Sequence, residues 1–486
     1  MNRFFIWSLL ITGLLTISLA AVIWMDFPLL SPGIMLVVIP LLAWFTVKSG
    51  LQLPLIKAMA LLLPFSVEIP FYYGSMLRVP TEPLIAIALL VLILELIKSP
   101  QSWTGSFLRK EFLWALPLIA VFIITIPFSE RLLVSLKFSF VNIVYLLVFY
   151  VFLSRYLHAH PTLFKKLITL YGIGFLLVAA YGLVRYWQYD WNPVVVRGIF
   201  QPFYKDHTIF GASGAMLAAF WAGMAWKAKN KKKRLAFGLP ALVFCAAIVL
   251  SSSRAALLSL AVLFIVCMIF RLNVGFSRVV VVGLGLAIGL AIFHDPLSGR
   301  LGQNRRHKTE QHAGIGERLH SVTNIATNVS NRERMNRWVS AWRMFRERPL
   351  TGFGPGTYQF EYIPYQDPGL MSRLTVHDYN EIPEGSGGTA HSEYLLALSE
   401  MGIFGLLSLV LLIGRWTFLS FPGILAGVRQ TFVRIAFAGL STYIFHAFFN
   451  NFLTTDQFAF LFWGTGAWLI ANYHAVNEQQ DVLQPG

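Results

Sequence analysis

Long apolar runs, each closed by a short polar joint, recur along almost the whole chain. Their lengths, roughly 17–25 residues, suit helices that cross a hydrocarbon core. In such a core every backbone N–H and C=O needs an internal partner, so an apolar run of this length folds as a helix. The pattern predicts spans near 4–24, 29–47, 51–66, 82–97, 111–127, 134–153, 164–184, 207–226, 235–251, 255–271 and 278–294. Three more follow near 393–413, 432–449 and 457–474. The third span is short and carries Lys57. Between the two groups, about 295–390 is long, charged and punctuated by glycine. The expected architecture is an all-α polytopic membrane protein with about 12–14 transmembrane helices and one long extracytoplasmic loop that itself contains helices. That divides the chain into an N-terminal bundle (1–294), a loop (295–390) and C-terminal membrane helices with a short tail (391–486).

Positive charge orients the bundle. With a cytoplasmic N-terminus, the cytoplasmic side receives Lys48, the stretch Lys98 to Lys110, Arg155 to Lys166, Lys227 to Arg234, Arg271 to Arg278 and Arg415 to Arg434. The opposite side receives the poorly charged joints near 128–131 and 251–254. This is the positive-inside bias, and it places the long loop outside the cytoplasm. The net charge of +16 is therefore read as topology and not as a nucleic-acid footprint. With 56% hydrophobic and 13% charged residues, one helical bundle is expected in place of soluble domains. The two cysteines, Cys245 and Cys267, fall inside apolar runs and read as small hydrophobes. No CxxC, HExxH or GxxxxGK[ST] pattern occurs, so no metal site, cofactor or P-loop nucleotide chemistry is called. The N-terminal MNRFF and its apolar run read as a first span, not as a cleaved signal.

Inside the loop, Ser330 to Glu333 forms a capping-box pattern. Met335, Trp338, Val339, Trp342 and Phe345 follow at helical spacing, with arginines mostly elsewhere on the wheel. This predicts a basic amphipathic helix that packs on the bundle or lies at the membrane interface, ended by Pro349 and Gly352.

Chemistry concentrates after that helix. Gly352, Gly354 and Gly356 in GFGPGTY suit either a tight turn or a backbone that approaches a substrate closely. His391 stands where the loop meets the next helix; a helix N-terminus disfavours imidazolium, so the ring suits a general base. Ser392 and Glu393 could orient it. Glu400, two turns on, is a carboxylate expected to need a cationic partner at that depth. Arg254, after Ser251, Ser252 and Ser253, and Arg197, in RGIFQPFYKDHT, suit phosphate, because a planar guanidinium binds oxygens in pairs. His207 is a further candidate beside Arg197, and His446, Asn450 and Asn451 could line the same space or bond between helices.

Three stretches, SSSRAALLSL, RGIFQPFYKDHTIFG, and NRWVSAWRMFRERPLTGFGPGTY followed by AHSEYLLALSEMG, resemble the O-antigen ligase and polymerase superfamily of bacterial membrane glycosyltransferases. The resemblance implies a C-type glycosyltransferase fold, a bacterial inner-membrane location and a periplasmic active site. It implies a polyprenyl-diphosphate-linked glycan as donor. It matches Arg197 and Arg254 to the family's diphosphate-binding arginines and His391 to its essential loop histidine. One departure is Asp206-His207, where relatives often carry Asn.

The reading that follows is metal-independent transfer of a glycan to an acceptor hydroxyl. His391 acts as base, and Arg197, Arg254, Glu400, His207, Gly354 and Gly356 hold substrate. No carboxylate pair at glycosidase spacing is evident, which favours one inverting displacement. Ligation to a lipid A-core acceptor leads, and polymerisation of the lipid-linked glycan is the alternative. A glycan-lipid transporter would instead place charge through the whole bundle and show repeats; charge here gathers at one face and no repeat is seen.

Overall fold

The computed structural model describes residues 30–72, 75–102, 106–192, 194–279, 281–282, 329–383, 386–421 and 428–483. The run expected near 4–24, most of that near 278–294, and loop residues 295–328 lie outside them. In chain order the longer helices are α1 (Leu30–Lys48), α2 (Gln52–Leu62), α3 (Thr81–Lys98), α4 (Ser106–Ile124), α5 (Leu132–Ala159), α6 (Leu163–Gln188), α7 (His207–Lys227), α8 (Lys231–Leu250) and α9 (Arg254–Arg271). They continue with α10 (Val329–Glu347), the single turn α11 (Tyr358–Glu361), α12 (Glu393–Ser420), α13 (Val428–His446) and α14 (Asp456–Leu483). The protein is an all-α polytopic membrane protein, and among the described residues six helices are long and apolar enough to cross a membrane: α5 to α9 and α12.

The helices start where the side chains can cap them. Asp206 accepts from Thr208 N (2.7 Å), Asn230 from Lys232 N (2.8 Å) and Ser253 from Ala256 N (3.3 Å), so α7, α8 and α9 each begin with a satisfied backbone donor. Helix α7 is buried along most of its length. Its Gly211, Gly214 and alanines let neighbours approach; a Cβ at Gly211 would lie 2.7 Å from Ser251 Oγ and 2.9 Å from Ser253 Cβ. Two helices depart from regular geometry. Helix α5 carries a π-helical stretch at Leu147–Phe152, and α12 breaks at Gly402, whose φ is +66°. Only a residue without Cβ fits that bend, because a Cβ there would lie 2.4 Å from the Leu350 carbonyl oxygen.

Between α2 and α3, where the apolar pattern suggests a plain joint, Val67–Tyr72 pairs antiparallel with Ser75–Val79. Glu68 faces Arg78 across this hairpin and binds it at 3.0 Å. The hairpin is fastened to the start of α14. Asp456 pairs with Arg78 at 3.3 Å, accepts from Ser66 Oγ at 2.9 Å and takes a hydrogen bond from Thr81.

The long-loop helix α10 packs on α12 and against the loop that follows it, with Glu333, Asn336, Arg337, Ser340, Ala341 and Met344 buried. This is not the apolar stripe of the sequence. Trp342 of that stripe is 48% exposed, and Met335, Trp338, Val339 and Phe345 keep partial exposure. The carboxylate of the expected capping box is also placed differently. Ser330 lies within the helix, and the Glu333 carboxylate instead accepts from Arg337 Nε (3.0 Å) and Thr375 Oγ1 (2.7 Å).

Candidate functional site

The glycine loop and the α12 bend are one structure. Phe353 N donates to Ser399 O (3.1 Å), Gly354 N to Glu400 O (2.9 Å) and Ile403 N to Pro349 O (2.8 Å), so the loop lies along the interrupted turn of α12. The Glu400 carboxylate accepts from Gly356 N (2.8 Å) and Tyr358 N (3.0 Å). Its need for compensation is thus met by two backbone donors and not by the cation expected from the sequence. Gly352, Gly354 and Gly356 all have positive φ, at +64°, +107° and +79°. Added Cβ atoms would meet the Glu400 backbone (2.3 Å), Ser129 Oγ (2.3 Å) and Phe138 (2.8 Å). The α4–α5 turn grips the loop from the other side: Glu130 N donates to Phe353 O (3.2 Å), Ser135 Oγ to Pro355 O (2.8 Å), and Glu130 pairs with Arg348. The close approaches of Gly354 and Gly356 are therefore made to protein.

His391 precedes α12 with a left-handed φ of +49°, a conformation His and Asn adopt more readily than most side chains. Trp338 Nε1 donates to its carbonyl oxygen (3.3 Å), and its N–H reaches Thr389 Oγ1 (3.4 Å). The imidazole keeps some solvent contact while protein surrounds most of it. Burial first, then the charges of Arg337 and Arg334, pushes its pKa down to about 3. The ring is thus neutral across the ordinary pH range. Arg337 is itself fixed. It pairs with Glu333 at 3.0 Å, donates to the carbonyls of Gly387 (2.9 Å) and Thr389 (3.1 Å), and stacks over Tyr362 at 4.9 Å.

Ser392 and Glu393 do not orient the imidazole. Ser392 caps α12 by accepting from Leu395 N (3.4 Å). Glu393 Oε1 accepts from Tyr443 Oη (2.6 Å), Phe452 N (2.6 Å) and Leu453 N (2.8 Å), which holds the α13–α14 connection. The neighbouring Asn451 receives Thr389 Oγ1 at 2.6 Å, tying that connection to the segment before His391. His446 is buried at the end of α13, with Nε2 2.8 Å from Asn450 Nδ2 and Nδ1 without a partner among the described residues.

The Ser251–Ser253 turn brings α7 and α9 together. His207 Nδ1 is 2.6 Å from Ser251 O. A carbonyl oxygen only accepts, so Nδ1 carries the proton and Nε2 is left as the acceptor. Arg254 opens α9 directly after Ser253 caps it. Arg197 lies on the short turn Val195–Gly198 and is exposed. Its loop is set by Arg185, which donates to Gly198 O (3.2 Å) and Gln201 O (2.5 Å), by Gln457 Nε2 on Phe203 O (2.7 Å), and by Lys205 on Glu68 (3.4 Å).

One residue joins these parts, and the sequence reading left it on the solvated side of a helical wheel. Arg334 of α10 carries a pKa lowered to about 10 by burial and by the like charge of Arg254, against the opposing pull of Asp206. Its charge acts on His391, His207 and His446, and that of Arg197 also reaches His207. Arg197, Arg254, Asp206, His207, Arg334, His391 and His446 therefore share one electrostatic neighbourhood at one end of the bundle. Glu400, Gly354 and Gly356 belong to the fastening of the loop beside it. The only sequence cue to Arg334 is its place one turn before Trp338.

An internal cavity of about 50 Å³ lies within the bundle, lined by Phe122, Phe138, Asn142, Glu393, Glu400 and Trp463. It has room for a few waters and none for a sugar. Arg197, Arg254, Arg334 and His391 do not line it.

Residues 239–410 match the family model described as O-antigen ligase. The stretch takes in the Ser251–Arg254 turn, α10, the glycine loop, His391 and the α12 bend. It bears out the resemblance to the O-antigen ligase superfamily and supports a membrane glycosyltransferase of ligase or polymerase type. No curated protein matches the chain.

Proposed function

We propose that the protein moves a glycan from a polyprenyl-diphosphate carrier to an acceptor hydroxyl on the periplasmic face of a bacterial inner membrane, with lipid A-core as the acceptor. The observation that carries this reading is that the stretch matching the O-antigen ligase family holds both Arg254, at the start of α9, and His391, held at the end of the long loop by Trp338 of α10. Arg254 and Arg197 meet the diphosphate, whose planar oxygen pairs a guanidinium binds with two parallel bonds. An imidazole nitrogen of His391 takes the proton of the acceptor hydroxyl. The acceptor oxygen forms the new bond to the anomeric carbon. The bond from that carbon to the phosphate oxygen breaks, and the diphosphate leaves with the electron pair. The arginines stabilise the charge gathering on it. One displacement of this kind inverts the anomeric centre and needs no nucleotide.

The fastened loop supports the same reading. Glu400, the glycines and the Ser129–Ser135 turn hold the backbone between α10 and His391, so the base is positioned before substrate arrives. The test uses purified protein, a polyprenyl-diphosphate glycan and lipid A-core in detergent. Glycan appearing on lipid A-core supports ligation. Lengthening of the carrier-linked glycan assigns the chain as a polymerase. Movement of neither, with a fully folded protein, overturns the reading.

A further inference from the structure

His207, Ser251, Arg254 and His446 stand where α7, α8, α9 and α13 reach the site. At the opposite ends of these helices, about 30 Å away at 1.5 Å per residue, lies a second charged surface. The run Lys227–Arg234, which joins α7 to α8, holds six cations in eight residues, all of them exposed. Neighbouring helices add more. Lys165 of α6 lies over the Phe237 ring of α8 at 4.6 Å, and Arg271, the last residue of α9, lies over Trp226 of α7 at 5.7 Å. Between Asp206 and Asp295 the chain has no acidic residue, so α7, α8 and α9 bring no carboxylate to this surface. The positive-inside bias accounts for cations on this side of the membrane. It does not ask for so many within one joint. Like charges gathered this closely repel one another, and an anion from outside relieves the repulsion.

The apolar surface beside the run continues the pattern. Helix α8 buries Ala241, Phe244, Ala247 and Ile248 and turns its other side outward. On that side Leu235, Leu239 and Leu242 are exposed and follow Lys231 by four, eight and eleven residues. Cation and leucines therefore form one stripe along the helix. Trp226 is exposed as well, an amphipathic ring suited to headgroup depth.

We propose that this surface binds an anionic phospholipid. The headgroup phosphate meets the ammonium groups of Lys231, Lys232 and Lys233, and an acyl chain lies along Leu235, Leu239 and Leu242. A zwitterionic headgroup brings its own cation into the same crowd and is disfavoured there. A lipid held in this way binds the folded bundle and not the unfolded chain, so it raises stability as its concentration rises. The proposal is independent of glycan transfer.

The experiment uses the full chain in dodecyl maltoside, titrated with dioleoyl phosphatidylglycerol or dioleoyl phosphatidylcholine. Native mass spectrometry counts bound lipid, and intrinsic fluorescence follows the midpoint of thermal unfolding. Phosphatidylglycerol is expected to bind and to raise the midpoint, and phosphatidylcholine at the same concentration to do neither. This comparison needs no variant. Lys231→Gln/Lys232→Gln/Lys233→Gln is expected to weaken phosphatidylglycerol binding at least about tenfold, while arginine at the same three positions keeps it. Lys48→Gln/Lys98→Gln, which removes cations at the ends of α1 and α3, is expected to bind as wild type does. Inorganic phosphate, which has no chain for the leucines, is expected to leave the midpoint unmoved. Equal binding of the two lipids overturns the proposal, as does wild-type affinity in the glutamine triple variant. An equal loss in Lys48→Gln/Lys98→Gln overturns it too, because the attraction would then belong to the whole charged face. A full stabilising effect from inorganic phosphate overturns the lipid as the ligand.

Discussion

Glu400 and Gly356 are joined across 44 residues of sequence by a 2.8 Å hydrogen bond from the glycine N–H to the carboxylate. The second carboxylate oxygen receives Tyr358 N–H at 3.0 Å. A glutamine at 400 keeps one acceptor and turns an NH2 toward the other donor, so one buried N–H loses its partner. Glu400→Gln is expected to cost about 1–3 kcal/mol, read as a lower midpoint of thermal unfolding in detergent, with transfer falling in parallel. An unchanged midpoint would show that the carboxylate does not fasten the loop.

Much of this fold is legible in the hydropathy pattern, because a membrane leaves an apolar run little choice but helix. The spans expected near 164–184, 207–226 and 255–271 appear as α6, α7 and α9 within a few residues. What the pattern hides is what one segment does for another. A buried carboxylate must be compensated, and that reasoning holds for Glu400; the compensators are backbone N–H groups of a glycine loop, which have no sequence signature. Glu393 fails for the same reason, since its donors are a tyrosine hydroxyl and two amides beyond α13. Arg334 escapes notice because a helical wheel places arginines toward water, whereas α10 buries its small and polar face and leaves Trp342 exposed. The hairpin Val67–Val79 is too short and mixed to stand out between two apolar runs, and its hold on Asp456 is non-local.

The His391 imidazole contributes an acid sensitivity whose direction follows from its environment. Its folded pKa of about 3 lies below the ordinary value of 6.5. Between those two values the unfolded chain binds more protons, so stability rises with pH through that window and falls as pH drops from about 6.5 toward about 3. His391→Asn suits the left-handed backbone and removes the titration. The variant is expected to lose less stability than wild type between pH 6.5 and 4, and to abolish transfer at every pH. Melting curves across pH check the first part and product formation the second; transfer at wild-type rate by the variant would falsify the base role.

Arg254→Lys keeps the charge and loses the planar fork. If the guanidinium binds phosphate oxygens in pairs, donor KM rises by about tenfold or more, with a smaller rise for Arg197→Lys because that side chain is exposed. Steady-state kinetics with the lipid-linked donor measure both. With arginines meeting the diphosphate, a strong chelator is expected to leave transfer intact. Loss of activity that added magnesium restores would assign part of the charge to a metal ion.

The site end and the basic end of the bundle should face opposite compartments. Ser330→Cys, at the start of α10, is expected to react with a membrane-impermeant thiol reagent on intact spheroplasts. Lys231→Cys, at the start of α8, is expected to react only after lysis. Labelling of Lys231→Cys in intact cells would reverse the orientation and with it the periplasmic placement of the reaction.

Arg78 and Asp456 test whether the hairpin belongs to the rigid frame of the site. Burial works against the Arg78 charge, but Asp456 first, and Glu68 with it, holds the proton affinity of the guanidinium above its usual level. Asp456 is fully buried, also takes Ser66 and Thr81, and opens α14 next to Gln457, which binds the carbonyl of Phe203 in the Arg197 loop. Removing one partner leaves the other under-compensated: Arg78 keeps only Glu68, and Asp456 keeps only the hydroxyls of Ser66 and Thr81. Asp456→Asn is therefore expected to cost about 3 kcal/mol, the low end for a buried pair because Arg78 retains 23% exposure. Arg78→Met strands the carboxylate in the same way, while the double variant strands neither and is expected to lose clearly less than the sum of the two. Thermal melting of the four proteins closes the cycle, and donor KM for each reports whether the Arg197 loop moves with the hairpin. Strict additivity with unchanged KM would detach the hairpin from the site and reduce it to a surface ornament of the bundle.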